Sequence, residues 1–97
     1  MDIDLLFVRG CPHQRLARRN LDAALVDVGM DATIREREVR GAADAARWGM
    51  HGSPTLLIDG RDPFENDQVS VSCRLYRDGA GVHGAPSVAQ LRKVLAT

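Results

Sequence analysis

The spacing of apolar residues divides the chain into alternating strand-like and helix-like segments. Continuous apolar runs within residues 3–8 and 55–58 are typical of strands that are buried on both faces. Consecutive charged residues in the strand-like segment 33–39 favour a sheet edge, and residues 42–48 form a short alanine-rich helix. Helical spacing before Gly29 predicts a first helix with a buried stripe that consists of Leu16, Ala17, Leu21, Ala24, Leu25 and Val28.

The last third of the chain predicts one more strand and one more helix. Apolar and polar residues alternate over residues 69–76, which predicts a strand that buries Val69, Val71, Cys73 and Leu75. The loop before it contains Asp62-Pro63-Phe64, which either turns Phe64 back onto the domain or covers a partner surface. A final helix starts near Ser87, its expected cap.

The predicted order of elements is β-α-β-α-β-β-α in an α/β domain. A strand, a helix and a strand joined by a connection of this length form a right-handed unit with two parallel strands. We place the apolar strands 3–8 and 55–58 inside and the strands 33–39 and 69–76 at the edges. The result is a four-stranded mixed sheet with helices on both faces, in which only the last two strands form an antiparallel hairpin.

Length and charge narrow the classes of function. The 97 residues suit a single domain over residues 1–97. Lysine and arginine total 13 and aspartate and glutamate total 13, so no global field attracts nucleic acid or an anionic membrane. The N-terminus lacks the pattern of a signal peptide, and no apolar run is long enough to span a membrane. We therefore expect a cytoplasmic protein, in which two cysteines are thiols rather than a structural disulfide.

Cys11 is the candidate for chemistry, because it stands where the first apolar run ends and a helical pattern begins. Pro12 suits a first helical turn, so Cys11 is predicted at a helix N-terminus. There, unpaired N–H groups and the helix dipole favour the thiolate, which is the nucleophilic form of cysteine. The alternative is a small buried residue at a strand end.

Three further side chains are candidates for the same site. His13 could exchange a proton with the Cys11 sulfur, Arg15 could hold an anionic thiol, and His51 could line the cleft. The alternative for His13 and Arg15 is a solvated surface residue, and the alternative for His51 is a loop histidine. Cys73 is predicted to be an inert core residue, too far along its strand to pair with Cys11.

Two motifs carry a resemblance to a known family. Residues 10–14 (Gly-Cys-Pro-His-Gln) follow the first strand, and residues 49–55 (Gly-Met-His-Gly-Ser-Pro-Thr) precede the run Leu-Leu-Ile-Asp-Gly. Together they resemble thioredoxin-fold proteins, which implies a cis Ser53-Pro54 bond facing Cys11 and a Ser53 backbone that pairs with substrate. Gln14 stands where a second cysteine would be, so the usual local disulfide cannot form.

A narrower resemblance rests on residues 59–64, 72–76 and 84–87. These are similar to a group of small bacterial thioredoxin-fold proteins, the Asp-Phe family. Some members carry selenocysteine where Cys11 stands, and members are often labelled alkylmercury lyase. Selenium at that position would imply redox or soft-metal chemistry for Cys11.

These observations predict a monothiol oxidoreductase in which Cys11 attacks a disulfide or peroxide. Cys11 and His13 are the predicted catalytic residues, and Ser53, Pro54, Arg15 and His51 are the predicted substrate contacts. We expect no bound cofactor or metal, a small thiol or a reductase as partner, and a monomer or weak dimer. Two alternatives remain, a binding or adaptor module in which Cys11 is idle and a protein that handles a soft metal or organomercurial through thiolates.

Overall fold

The computed structural model describes residues 1–64 and 68–96. Three helices and seven strands are assigned within these ranges. In chain order they are β1 (Asp2–Phe7), α1 (Gln14–Val28), β2 (Thr33–Glu38), α2 (Gly41–Trp48), β3 (His51–Ser53), β4 (Thr55–Ile58), β5 (Ser70–Cys73), β6 (Tyr76–Asp78), β7 (Gly81–His83) and α3 (Val88–Leu95).

The main sheet has three strands in the order β2-β1-β4. Strand β1 lies between a parallel β2 and an antiparallel β4. Successive side chains of a strand point to opposite faces, so Ile3 and Leu5 enter one core cluster and Leu6 enters another. The first cluster includes residues of α1 and α3, and the second includes Ala45 of α2. The predicted burial of the first apolar run on both faces is therefore confirmed, and so is the edge position of β2.

The helices follow the apolar stripes that the sequence displays. Four of the six predicted stripe residues of α1 are buried in the first core cluster, and the other two, Leu16 and Val28, are partly buried and pack against it. Gly29 ends the helix with φ 68°. The predicted cap at Ser87 is also confirmed, because its hydroxyl accepts from the Gln90 N–H while the Gln90 side chain accepts from the Ser87 N–H. This reciprocal pair satisfies two donors at the start of α3.

The predicted four-stranded mixed sheet is wrong. Within the described residues, β4 pairs only with β1 inside the main sheet, while β5 pairs in parallel with β3, and β6 pairs antiparallel with β7. The element order β-α-β-α-β-β-α and the thioredoxin-like arrangement built on it are corrected accordingly. The predicted central strand 55–58 is an edge strand of a three-stranded sheet, although Leu56 and Leu57 are buried.

The error comes from the register of residues 69–76. Val69, Val71 and Leu75 are exposed, whereas Arg74 and Tyr76 are buried. A buried arginine contradicts an alternating apolar pattern, but here its charge is matched by the Asp62 carboxylate at 2.6 Å. Sequence spacing alone cannot reveal such a pair, so the apolar residues were assigned to the wrong face.

The loop before β5 has a structural role as far as it is described. Asp62 accepts a hydrogen bond from the Phe64 N–H at 2.9 Å, and Phe64 packs against the first core cluster. The alternative in which Phe64 turns back onto the domain is therefore confirmed. The rest of this predicted loop, residues 65–67, lies outside the described part of the chain.

Candidate functional site

Cys11 lies in a turn between β1 and α1. Its N–H donates to the Val8 carbonyl at 3.0 Å, and Gly10 has φ 76°, a conformation that glycine adopts without steric cost. The side chain is partly exposed. Helix α1 begins at Gln14 with His13 as its cap residue, so the prediction that Pro12 occupies the first helical turn is wrong. Cys11 precedes the helix by one turn, because the Gly10 turn must be completed first.

The first turn of α1 has features that favour a nearby anion. It contains no acidic residue, and no side chain caps its N–H groups. Unpaired N–H groups at a helix start carry partial positive charge. The loop with Cys11 leads directly into this turn.

The Ser53-Pro54 peptide bond is cis, as predicted. The Ser53 hydroxyl accepts a hydrogen bond from the Val8 N–H at 3.1 Å. Because the Val8 carbonyl accepts from Cys11, a single residue connects the cis turn with the Cys11 turn. The structure thus brings Ser53, Pro54 and Cys11 into one region, and both Ser53 and Pro54 are buried.

The backbone of Ser53 already has a donor inside the chain. Its carbonyl accepts from the Arg74 N–H at 3.0 Å, and Ser53 is the register partner of Cys73 in the parallel pairing of β3 with β5. The resemblance reserves this backbone for a bound substrate. Here β5 occupies that position.

Tyr76 joins the same region, although the sequence did not single it out. Its hydroxyl donates to the Pro54 carbonyl, and its side chain is only 3% exposed. Burial raises the pKa of Tyr76, the positive charge of Arg74 opposes this, and negative charge on Asp62 and Cys11 raises the pKa further. Tyr76 is therefore a neutral hydrogen-bond donor within electrostatic range of Cys11. The only indication of this role in the sequence is an aromatic side chain at a position that the alternating pattern of residues 69–76 assigns to the polar face of the strand.

His13 lies close to Cys11 in sequence, and its ring packs against Gly84. A Cβ atom at position 84 would overlap the His13 ring, so the ring lies directly against the backbone. Asn20 holds this loop by donating to the Pro86 carbonyl at 3.0 Å. Within the described residues, His13 makes no side-chain hydrogen bond, and none joins it to the Cys11 sulfur.

Arg15 points to no partner in the described structure. It is exposed on α1, and no ion pair ties it to Cys11 or to the cis turn. Its predicted role in anion binding therefore stays a prediction, and any such binding would take place on the exposed helix surface beside the Cys11 loop.

His51 belongs to a different cluster from Cys11. Its Nδ1 lies 2.9 Å from an Asp62 oxygen, and Asp62 also binds Arg74. The Arg74 guanidinium further donates to the Phe64 carbonyl at 2.6 Å and to the Thr55 hydroxyl at 3.4 Å. This buried network fastens the loop and β5 to the cis turn, and sequence reasoning missed both members of its ion pair.

Cys73 is exposed, so the prediction of a packed core cysteine is wrong. Its side chain lies on the solvent side of β5 because Arg74 takes the buried position. The distance argument against Cys73 also loses its basis, since it assumed an antiparallel hairpin with β4. In the structure Cys73 stands opposite Ser53 in β3.

Comparisons with protein-family profiles, curated proteins and solved structures found no match to this chain. The family resemblance therefore stays a prediction. In residues 1–64 and 68–96, no group of three or more His, Cys, Asp or Glu side chains could hold a metal ion. No helix in these ranges is long and apolar enough to cross a membrane.

Proposed function

We propose that the protein is a thiol oxidoreductase that uses Cys11 as its single nucleophile. The observation that carries the proposal is the connection of Cys11 to the cis turn through Val8, whose N–H and carbonyl bind Ser53 and Cys11 respectively. This connection holds a partly exposed thiol near a buried turn and one turn before an uncapped helix start. An accessible thiol near partial positive charge is the setting in which cysteine acts as a nucleophile.

The proposed exchange with a small disulfide has two steps. The Cys11 thiolate forms a bond to one sulfur, the S–S bond of the substrate breaks, and the other sulfur leaves as a thiolate. A small external thiol then attacks the mixed disulfide and releases Cys11, which leaves that thiol joined to the second half of the substrate. A second external thiol, without the help of Cys11, displaces this half, so two external thiols are oxidised to their disulfide and the original disulfide is reduced to two thiols.

The proposed reaction with a peroxide uses the same thiol. Cys11 takes one oxygen and becomes a sulfenic acid, while the O–O bond breaks and the second oxygen leaves as an alcohol or water. One thiol condenses with the sulfenic acid and releases water, and a second thiol frees Cys11. Two thiols are thereby oxidised for each peroxide reduced.

In this proposal the neighbouring residues support Cys11 and form no covalent bond to the substrate. The neutral Tyr76 hydroxyl donates to the Pro54 carbonyl, and both Ser53 and Pro54 of the cis turn are buried. His13 is the cap residue of α1, and its ring lies against Gly84. In this proposal the His13 ring exchanges a proton with the Cys11 sulfur or its reaction partner. Such a cycle requires an external reductant, so the proposal includes a cytoplasmic location, where small thiols are kept reduced.

The test compares the two cysteines of the same molecule. The native protein is treated with peroxide followed by glutathione, digested with trypsin and analysed by mass spectrometry. Cys11 falls in the peptide of residues 10–15 and Cys73 in the peptide of residues 62–74. Because Cys73 is an ordinary exposed thiol, it serves as the internal reference, and we expect Cys11 to gain the adduct about tenfold faster or more.

Variants then separate the proposed function from its rivals. Thiol-dependent peroxide consumption should vanish in Cys11→Ser and persist in Cys73→Ser. Equal adduct rates at both cysteines, or activity that survives Cys11→Ser, would contradict the proposal. In that case a binding module with an idle Cys11 becomes the better account.

A further inference from the structure

A cavity of about 580 Å³ lies between the β6–β7 hairpin and α3. Its described lining residues are Phe64, residues 77–80 of the hairpin and one face of α3, and neither Cys11 nor the cis turn is among them. Pockets that hold small molecules have volumes of about 300–1,000 Å³. The cavity therefore has the size of a ligand site, and the chemistry proposed for Cys11 does not use it.

The walls of this cavity are joined by contacts within the chain. The Gln90 side chain donates to the Arg77 carbonyl at 2.9 Å and accepts from the Ser87 N–H at 2.9 Å, so it ties α3 to β6. The Phe64 ring is held as well, by an edge contact with the buried Tyr76 ring at 5.4 Å between ring centres. The chain itself thus forms the cavity, as is usual for small-molecule sites.

Part of the lining is apolar. Ala89 and Val94 lie on the face of α3 that lines the cavity, and Phe64 and Ala80 line it from the loop and the hairpin. The short alanine side chains leave room for a flat group beside the Phe64 ring. Aromatic rings pack favourably in offset or edge-to-face arrangements, so the ring of a ligand is a suitable neighbour for Phe64.

The charged lining residues favour an anion. The Asp78 carboxylate accepts from the Ala80 N–H at 2.8 Å and lies 3.3 Å from the His83 ring, so its negative charge is already satisfied within the hairpin. Arg77 and Lys93 also line the cavity and are exposed, and neither makes an ion pair within the described residues. Two unmatched cations beside an apolar surface are complementary to an organic anion.

We propose that this cavity binds a small aromatic carboxylate, with its ring packed against Phe64 and its carboxylate bound by Arg77 and Lys93. A guanidinium and an ammonium group both donate charge-assisted hydrogen bonds to a carboxylate. A protein partner needs roughly 800 Å² of surface on each side, whereas this cavity is a single space of small-molecule size. The inference goes beyond the proposed function, since Cys11 takes no part in it.

The first test compares two fluorescent dyes on the full chain. Anilinonaphthalene sulfonate carries an aromatic body and an anionic group, and phenylnaphthylamine has the same rings without the charge. We expect saturable binding of the sulfonate with an affinity at least about fivefold higher than that of the neutral dye. Phenylpropionate should displace the sulfonate at concentrations at which phenylpropionamide, its neutral counterpart, does not.

Charge variants then locate the anionic group. Arg77→Gln and Lys93→Gln should each weaken sulfonate binding about threefold or more and change binding of the neutral dye by less than about twofold. Arg92→Gln is the matched control, because Arg92 precedes Lys93 in α3, is exposed, and pairs with Asp27 instead of lining the cavity. It should leave the affinity for both dyes unchanged.

A filling variant locates the apolar body. Ala89→Trp places a large ring in the cavity and should abolish binding of both dyes, whereas Ala23→Trp, at an exposed alanine of α1, should not. Circular dichroism of each variant checks that it is folded. Absence of saturable sulfonate binding would overturn the proposal and leave the cavity for a protein segment. An equal effect of Arg92→Gln or of Ala23→Trp, or displacement by the amide as strong as by the carboxylate, would overturn it as well.

Discussion

Replacing Arg74 tests the buried network that holds β5 against the cis turn. The side chains of Arg74 and Asp62 are only 4% and 5% exposed, and their closest atoms are 2.6 Å apart. The guanidinium also donates to the Phe64 carbonyl and lies 4.6 Å from the centre of the Tyr76 ring. Arg74→Met keeps much of the side-chain volume but leaves the Asp62 carboxylate without its cation.

The expected loss of stability is large for a protein of this size. Breaking a buried ion pair by removing one partner costs about 3–5 kcal/mol, because the remaining charge stays desolvated. Domains of about this length have free energies of unfolding of about 5–15 kcal/mol in total. We therefore expect Arg74→Met to remain folded in water with a much lower urea midpoint, or to unfold at modest temperature.

Urea unfolding followed by the fluorescence of the single tryptophan, Trp48, measures this loss. The matched control is Arg77→Met, three residues further along the chain, where the side chain is exposed and makes no ion pair within the described residues. The control should change the free energy of unfolding by less than about 0.5 kcal/mol. A double variant, Asp62→Leu with Arg74→Met, should recover part of the loss because no buried charge remains. A cost below about 1 kcal/mol for Arg74→Met, or an equal cost in the control, would refute the reasoning.

Three further outcomes follow from the described geometry. Tyr76 is the single tyrosine, and its pKa is raised in the folded state. Its contribution to stability is therefore complete below about pH 10 and declines above that pH, where the unfolded chain releases the proton and the folded chain does not. Tyrosinate absorbance that develops at or below about pH 10 while the circular dichroism spectrum stays native would contradict the buried hydrogen bond. Cys73 should react with iodoacetamide in the folded protein about as fast as in urea. A much slower reaction in the folded protein would show that the Cys73 side chain is buried. Gly84→Ala should cost about 1–3 kcal/mol because the new Cβ displaces the His13 ring, whereas Gly79→Ala, with open space around it, should be neutral in the same urea assay; equal effects of the two substitutions would argue against the contact.

Local patterns in the sequence were sufficient for the helices, apart from the start of α1, and for the first part of the sheet. The stripe of α1 ends at Gly29, the cap at Ser87 starts α3, and the apolar run of β1 is buried on both faces, each as its residues indicate. These features depend on neighbours a few residues away, whose spacing the sequence displays directly. The cis Ser53-Pro54 bond was also predicted, but from a resemblance rather than from spacing.

Only the tertiary structure decided the last third of the chain and the composition of the site. Residues 69–76 alternate like a strand with an apolar buried face, yet the buried positions belong to Arg74 and Tyr76. Their burial depends on Asp62 and the Pro54 carbonyl, which lie 12 and 22 residues away along the chain. A charge or hydroxyl can be buried when a distant partner satisfies it, and no periodicity encodes such a partner. The same long-range contacts turned Cys73 to the surface and brought Tyr76 to the cis turn near Cys11. Cys11 is therefore a candidate from its local sequence alone, whereas the residues around it could be identified only from the fold.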